Sequence, residues 1–472
     1  MAEIRCLVNQ SCEISGHHPA VLDRNRVHFF QDLESTVALM AHHLSRRGLG
    51  EGDRVAMLMY PSWPAVCTVF ALIRIKAIVV PLSPRLPLEG LKSQLAAVQA
   101  HTMITEPGLH PEGLDGVDIL HAEELSDYVA LDRSIIPYHD IGQPAVIVFT
   151  SGSSGHPKPA MLTYGNLYYS AHHSNTNLHL SSNHKWLLSI PLYHVGGLGI
   201  LFRCVEGGGT VVIPTRDVPL SQDIQSYKVT HLSLVPTQLI RMMRAADAKK
   251  TARSLHTVLL GGAPISTEHI LQALALGFPV HATYGMTETS SQVATHPKYI
   301  SEDKLHTAGR VLPCNEVFIA EDGEIYVRGL TLFAGYIEDD KTVKPFDAEG
   351  WYHTGDIGTL DEAGYLTVLG RKDNRFISGG ENIYPEEIER ILTGRLKVDK
   401  AVVVPVADET FGQRPVAFVA FPPGTNAAHL AHQLEEFLPR FKIPVAFHEW
   451  PPEAPEDLKC DRIWFQEFIN PS

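Results

Sequence analysis

A run at residues 150–158, Thr150-Ser-Gly-Ser-Ser-Gly-His-Pro-Lys158, concentrates donors and flexibility at one place. It follows the apolar stretch 145–149, so a hydroxyl- and glycine-rich loop leaves the end of a strand and closes on a lysine. Gly152 and Gly155 let backbone N–H groups approach an anion, while Thr150, Ser151, Ser153 and Ser154 add hydroxyl donors. Lys158 supplies a point charge, and the set suits a polyphosphate. It is not a Walker A loop, which needs Gly-Lys-Ser/Thr, because Pro157 precedes the lysine and Pro159 follows it. The competing reading is a Ser/Gly linker, which sits poorly between a buried strand and further core elements.

The elements that must carry this loop follow from hydropathy. Short apolar runs alternate with longer helical patterns, which marks an α/β architecture. Residues 55–59 read as a buried strand, Trp63–Arg74 as a helix and Ile78–Leu82 as a strand; residues 186–190, 210–213, 232–235 and 257–260 continue the series. From about Arg310 the texture becomes β-rich, with strands expected at 316–319, 323–329 and 364–370. Next comes Arg371-Lys-Asp-Asn-Arg375, which composition alone reads as a solvated turn. The remainder reads as a small α/β unit of about a hundred residues, a size that suits an independent domain. In it Tyr384-Pro-Glu-Glu387 opens a helix with proline in the first turn and acids at the positive end of the dipole.

Composition excludes several classes. A chain of 472 residues, 44% apolar and 19% charged, is globular and too long for one core. The net charge of −14, from 39 Lys plus Arg against 53 Asp plus Glu, argues against a nucleic-acid partner bound by phosphate neutralisation. Six scattered cysteines without a Cys-x-x-Cys, and an N-terminal stretch lacking an apolar signal core, lead us to expect a cytoplasmic protein. Arg74 and Lys76 interrupt the most apolar stretch, so no membrane span is expected. The 25 histidines show no zinc-binding spacing, and self-association is left open.

The loop at 150–158 resembles the phosphate-loop signature of the adenylate-forming superfamily of acyl-CoA synthetases, luciferases and peptide-synthetase adenylation domains. Further segments resemble its other signatures in the same order: Tyr284-Gly-Met-Thr-Glu288, Trp351-Tyr-His-Thr-Gly-Asp356, Gly370-Arg-Lys-Asp373 with Ile377-Ser-Gly-Gly-Glu-Asn382, and Lys459-Cys-Asp-Arg462. The resemblance implies a large α/β body with a β-rich subdomain over residues 1–370 and a mobile α+β lid over 371–472. It implies ATP, Mg²⁺ and coenzyme A as co-substrates and cofactor, with a small carboxylic acid as partner. Tyr284, Gly285 and Thr287 are then nucleotide contacts, and Glu288, a hard oxygen donor, the magnesium residue. Asp356 and Arg371 meet the ribose, Asp373 is the hinge, and Lys459 reaches the carboxylate and α-phosphate oxygens. Gly261, Gly262 and Ala263 follow the strand Thr257–Leu260, where small residues let adenine lie against backbone; an ordinary strand-end turn is the alternative. The sequence departs from the family pattern at Ser154, Pro159 and Leu458, where threonine, glycine and glycine are usual.

Within the superfamily, segments 186–195, 232–239 and 376–387 resemble the o-succinylbenzoate–CoA ligases of menaquinone biosynthesis. Arg203 stands alone in the apolar run 196–205, and a guanidinium there must be paired. It meets either a protein acid, solvent at a helix end, or the ring carboxylate of the substrate. His194 resembles the family's histidine at the acyl entrance, with a core histidine as the other reading; Ser233 is a further substrate contact. Another aryl- or medium-chain acyl-CoA synthetase, a carrier-loading adenylation enzyme and a non-catalytic nucleotide sensor are the alternatives at this stage.

Overall fold

The computed structural model describes residues 3–24, 26–109, 113–126, 138–150, 157–454 and 462–469. Two large mixed sheets form the bulk. In the eight-stranded sheet, Pro144–Thr150, Ile78–Leu82, Arg54–Leu58, Thr102–Thr105 and Asp118–His121 lie side by side and parallel, and Lys158–Thr163, Gly335–Glu338 and Lys341–Val343 close one edge antiparallel. The nine-stranded sheet has a parallel centre running Val280–Tyr284, Thr257–Leu260, His231–Leu234, Lys185–Leu187, Thr210–Val212 and Pro19–Asp23.

Helices from both series bury their apolar faces in one shared core. The helix Trp63–Arg74 shows why. Ser62 caps it by accepting a hydrogen bond from the Ala65 amide at 3.3 Å, proline falls in its first turn, and every residue from Ala65 to Ile73 is buried. A capping serine of this kind contributes about 1 kcal/mol. The helix Tyr164–Leu178 packs on Val195–Gly207, with Trp186, Tyr164 and Phe202 fully enclosed nearby. Each such aromatic contributes roughly 2–3 kcal/mol through burial.

The β-rich region is a four-stranded antiparallel sheet, Asn315–Ile319, Glu324–Gly329, Tyr352–Leu360 and Leu366–Arg371. A turn at 372–374 follows, and the chain then builds a five-stranded sheet with a separate core around Ile388, Leu392, Val403, Ala417 and Leu430. Pro385 opens the helix Pro385–Gly394 as expected, with Glu386 and Glu387 in its first turn. The α/β reading, the β-rich change of texture and the C-terminal α+β unit all stand. Strand ends are where the expectation overshoots. The strand expected at 186–190 spans Lys185–Leu187, because its partner Thr210–Val212 ends at the Leu187–Val212 pair.

No helix among the described residues is long and apolar enough to cross a membrane.

Candidate active site

The antiparallel register of Pro144–Thr150 with Lys158–Thr163 sets Thr150 opposite Lys158, so both ends of the glycine-rich run are fixed at the end of one strand pair. Ser151, Gly152, Ser153, Ser154 and Gly155 lie outside the described residues, as does Lys459. The exposed Lys158 places its ammonium 5.4 Å from the centre of the Tyr336 ring. Tyr336 donates its hydroxyl to Glu288 Oε1 at 2.6 Å and lies 3.1 Å from the Tyr352 hydroxyl. Burial, and then the Glu288 charge, hold the Tyr336 phenol protonated well above its ordinary range, which fixes it as the donor.

Four residues beyond Tyr352, Asp356 is buried on the same strand and accepts from the Tyr284 hydroxyl at 2.7 Å. Its other oxygen accepts from Arg371 Nη1 at 3.1 Å, as the strand register pairs Asp356 with Arg371. Tyr284 ends the strand Val280–Tyr284, and Gly285 follows under strict steric demand. A Cβ there would lie 1.8 Å from the Ser291 carbonyl oxygen. The chain then turns through Thr287–Thr289, leaving Thr287 half-buried and Glu288 9% exposed.

Gly261, Gly262 and Ala263 directly follow the strand Thr257–Leu260, beside Thr283 and Val235. A Cβ on Gly261 would approach Thr283 Cγ2 to 2.8 Å, so the backbone there is kept bare. Thus Lys158 and Glu288 meet at Tyr336, Tyr284 and Arg371 meet at Asp356, and the strand carrying Tyr352 and Asp356 runs between the two meeting points, although up to 213 positions of chain separate these residues. Asp373 lies in the exposed turn after Arg371, 3.7 Å from its guanidinium, while the neighbouring Lys372 is anchored to Asp322 and Glu324 at 2.7 and 2.6 Å.

A second group adjoins the first. Arg203 is fully buried on the helix Val195–Gly207. Its Nη2 donates to Ser291 Oγ at 3.1 Å and its guanidinium lies 5.3 Å from the centre of the Trp186 ring. Among the described residues its Nε and Nη1 have no hydrogen-bond partner. Among the described residues no carboxylate pairs with it, and it has no exposure to solvent. Burial pushes its pKa down to about 10, which still leaves it cationic at neutral pH. Gly199 provides the room, because a Cβ there would lie 3.1 Å from Nη2.

Ser233 is placed one step away. Its hydroxyl accepts from Trp186 Nε1 at 3.1 Å, so it orients the ring that lies over Arg203. His194 precedes the Arg203 helix and is exposed, with its ring 4.6 Å from that of Tyr193, so it is no core histidine. Sequence reasoning missed Tyr336, Trp186 as a partner of Arg203, and Ser291. The last two sit in segments already singled out or adjoining one, but neither residue type nor spacing distinguishes them.

The donor set fits nucleotide and metal. Glu288 offers a hard carboxylate with one oxygen already oriented by Tyr336, as an oxygen-seeking Mg²⁺ requires.

Residues 8–337 match the AMP-binding enzyme family and residues 387–456 the AMP-binding enzyme C-terminal domain. The chain belongs to the AMP-binding enzyme family. It is 34% identical to the 2-succinylbenzoate–CoA ligase of Bacillus pumilus over 97% of each chain. Among solved structures, it superposes with a TM-score of 0.89 on o-succinylbenzoate CoA synthetase from Bacillus subtilis in complex with the acyl-adenylate intermediate OSB-AMP, at 30% identity and over 99% of each chain. The same B. subtilis enzyme in complex with ATP and magnesium ion matches with a TM-score of 0.87, at 30% identity over 98% of this chain and 99% of that one. The likeness to adenylate-forming enzymes, and among them to the o-succinylbenzoate–CoA ligases, therefore extends from the motifs to the whole fold.

Proposed function

We propose that this chain joins o-succinylbenzoate to coenzyme A at the expense of ATP, giving o-succinylbenzoyl-CoA, AMP and pyrophosphate, a step of menaquinone biosynthesis. The observation that carries the choice of acid is Arg203, a sealed cation two of whose nitrogens, Nε and Nη1, have no described protein acceptor. An enzyme for simple fatty acids has no use for such a group. An acid with a second carboxylate does, and the arginine reads the ring carboxylate while the succinyl carboxylate reacts. Because the guanidinium has no exposure, acid binding requires its cover to shift or its side chain to swing.

The reaction runs in two steps. A succinyl carboxylate oxygen attacks the α-phosphorus of ATP and pyrophosphate leaves. The coenzyme A thiol then attacks the acyl carbon, its proton is released, and AMP leaves. No side-chain nucleophile is needed, so the protein's contribution is positioning and charge neutralisation. Lys158, Thr287 and the run 150–155 hold the phosphates. Gly261, Gly262, Ala263, Tyr284 and Gly285 frame the base, and Asp356 with Arg371 takes the ribose. His194 lines the acyl entrance, and Ser233 acts through Trp186. Glu288 would hold Mg²⁺, which when bound neutralises phosphate charge. Lys459 stabilises charge on the reacting carboxylate and phosphate during the first step.

Residues 1–370 form the adenylating body and 371–472 the lid, which pivots at Asp373 between the two steps. The lid rests on the body through Arg395–Glu268 at 2.6 Å and Arg244–Asp399 at 2.5 Å. The Arg244–Asp399 pair, exposed on both sides, contributes under about 1 kcal/mol, weak enough to be exchanged during turnover. The enzyme works in the cytoplasm.

The direct test is an acid panel with pyrophosphate release and coenzyme A consumption measured in parallel. o-Succinylbenzoate should drive both, and benzoate and octanoate neither. Equal rates with octanoate would refute the acid assignment. Pyrophosphate release without thiol consumption would point instead to a carrier-loading enzyme.

A further inference from the structure

The chain just after Glu288, which reaches Arg203 through Ser291, makes an unusual turn. Ser290 and Ser291 have φ of +53° and +99°, two consecutive non-glycine residues in conformations that side chains disfavour. The surroundings impose it. Ser290 donates its hydroxyl to the Thr331 carbonyl at 2.9 Å, and its own carbonyl accepts from Ser170 Oγ at 2.5 Å. The Ser291 amide donates to the Met286 carbonyl at 3.1 Å, and the Ser291 carbonyl fills the space left by the missing side chain of Gly285.

Strain held this firmly next to a reaction centre invites a functional reason. Its consequence is visible at the Ser291 side chain. The half-buried hydroxyl is the only described hydrogen-bond partner of the Arg203 guanidinium, and it accepts there. Its own proton has no acceptor among the described residues, so the hydroxyl and Arg203 together present donors without protein acceptors.

We propose that Ser291 is a positioning residue for acid selection, fixing the Arg203 guanidinium where the second carboxylate of the substrate is read and tethering it to the Thr287–Glu288 turn. This inference rests on the reading of Arg203 given above. A hydroxyl removed here leaves a flexible arginine whose head is no longer tied to the nucleotide turn, so the discriminating contact weakens while ATP contacts persist.

The test compares kcat/KM for o-succinylbenzoate with that for 4-oxo-4-phenylbutanoate, which lacks the ring carboxylate. It uses the full-length wild type, Ser291→Gly, Ser291→Ala and Arg203→Leu, with thermal melting as a check on folding. Glycine adopts the backbone conformation at 291 freely, which offsets part of the cost of leaving Arg203 Nη2 unpaired, so Ser291→Gly should stay folded with a melting temperature close to wild type. Its preference for o-succinylbenzoate should nevertheless fall by about tenfold, the order expected for losing one substrate-orienting polar contact, with KM for ATP within about twofold. Ser291→Ala should lose the same preference, and adding Ser291→Gly to Arg203→Leu should cost nothing further. An unchanged preference in Ser291→Gly, alongside a lost one in Arg203→Leu, overturns this inference and leaves the acid assignment standing. Equal losses on both acids make Ser291 merely structural and also overturn it. A preference that survives Arg203→Leu removes the basis of both readings.

Discussion

Glu288 and Asp356 reach their positions through tyrosine hydroxyls, and this sets what single substitutions do. Glu288→Gln removes the charge that suits Mg²⁺, so pyrophosphate release should fall by roughly 10²-fold or more and its magnesium requirement should rise. A magnesium titration of the initial rate measures this; an unchanged half-saturation would contradict the metal role. Asp356→Asn leaves the Tyr284 and Arg371 donors facing a neutral amide, and KM for ATP should rise about tenfold with KM for the acid little changed. Arg203 was legible in the sequence because one cation in an apolar run demands a partner. Tyr336 was not, because it stands 48 positions from Glu288 on a strand with ordinary alternation, and only the sheet brings the two together. Ser291 lies within a run of hydroxyl residues, where nothing in type or spacing sets it apart.

At the scale of elements, site precision depends on backbones that cross without side chains. Gly285→Ala would drive a methyl into the Ser291 carbonyl, and neither the strand before it nor the turn after it can yield easily. We expect a loss of several kcal/mol, about what overpacking or a strained backbone costs, seen as a melting temperature lower by several degrees. A variant as stable as wild type would mean that the Thr287–Thr289 turn is softer than described. The same scale explains which elements could be read in advance. The helix Trp63–Arg74 and the strands Ile78–Leu82 and Thr257–Leu260 match expectation because apolar runs, a capping serine and following turns mark their ends locally. The strand Lys185–Leu187 is shorter than its apolar run because a neighbouring strand decides where pairing stops, and that information is not local.

For the molecule as a whole, three buried histidines set the acid limit. Burial pushes His139 and His296 down to about 4 and His231 to about 3, and each has a ring nitrogen without a described partner. They are neutral in the folded chain, whereas unfolded histidines take up protons below 6.5. Protons therefore favour the unfolded state from about pH 6.5 down to about 4 for His139 and His296 and about 3 for His231, and stability should fall through that window. Melting curves from pH 7.5 to 4.5 test this, and a flat profile would contradict it. The two-domain account also predicts that Lys459→Ala abolishes adenylation while thioester formation from supplied acyl-adenylate persists; equal loss of both steps would count against an exchanging lid. Finally, a chain of net charge −14 must attract polyanionic substrates through a few placed cations rather than its overall field. The most direct test is therefore to neutralise the cation assigned to the acid alone, by steady-state kinetics of Arg203→Leu. The account predicts a KM for o-succinylbenzoate raised at least about tenfold, with KM for ATP within about twofold. Small and equal changes in both would contradict it.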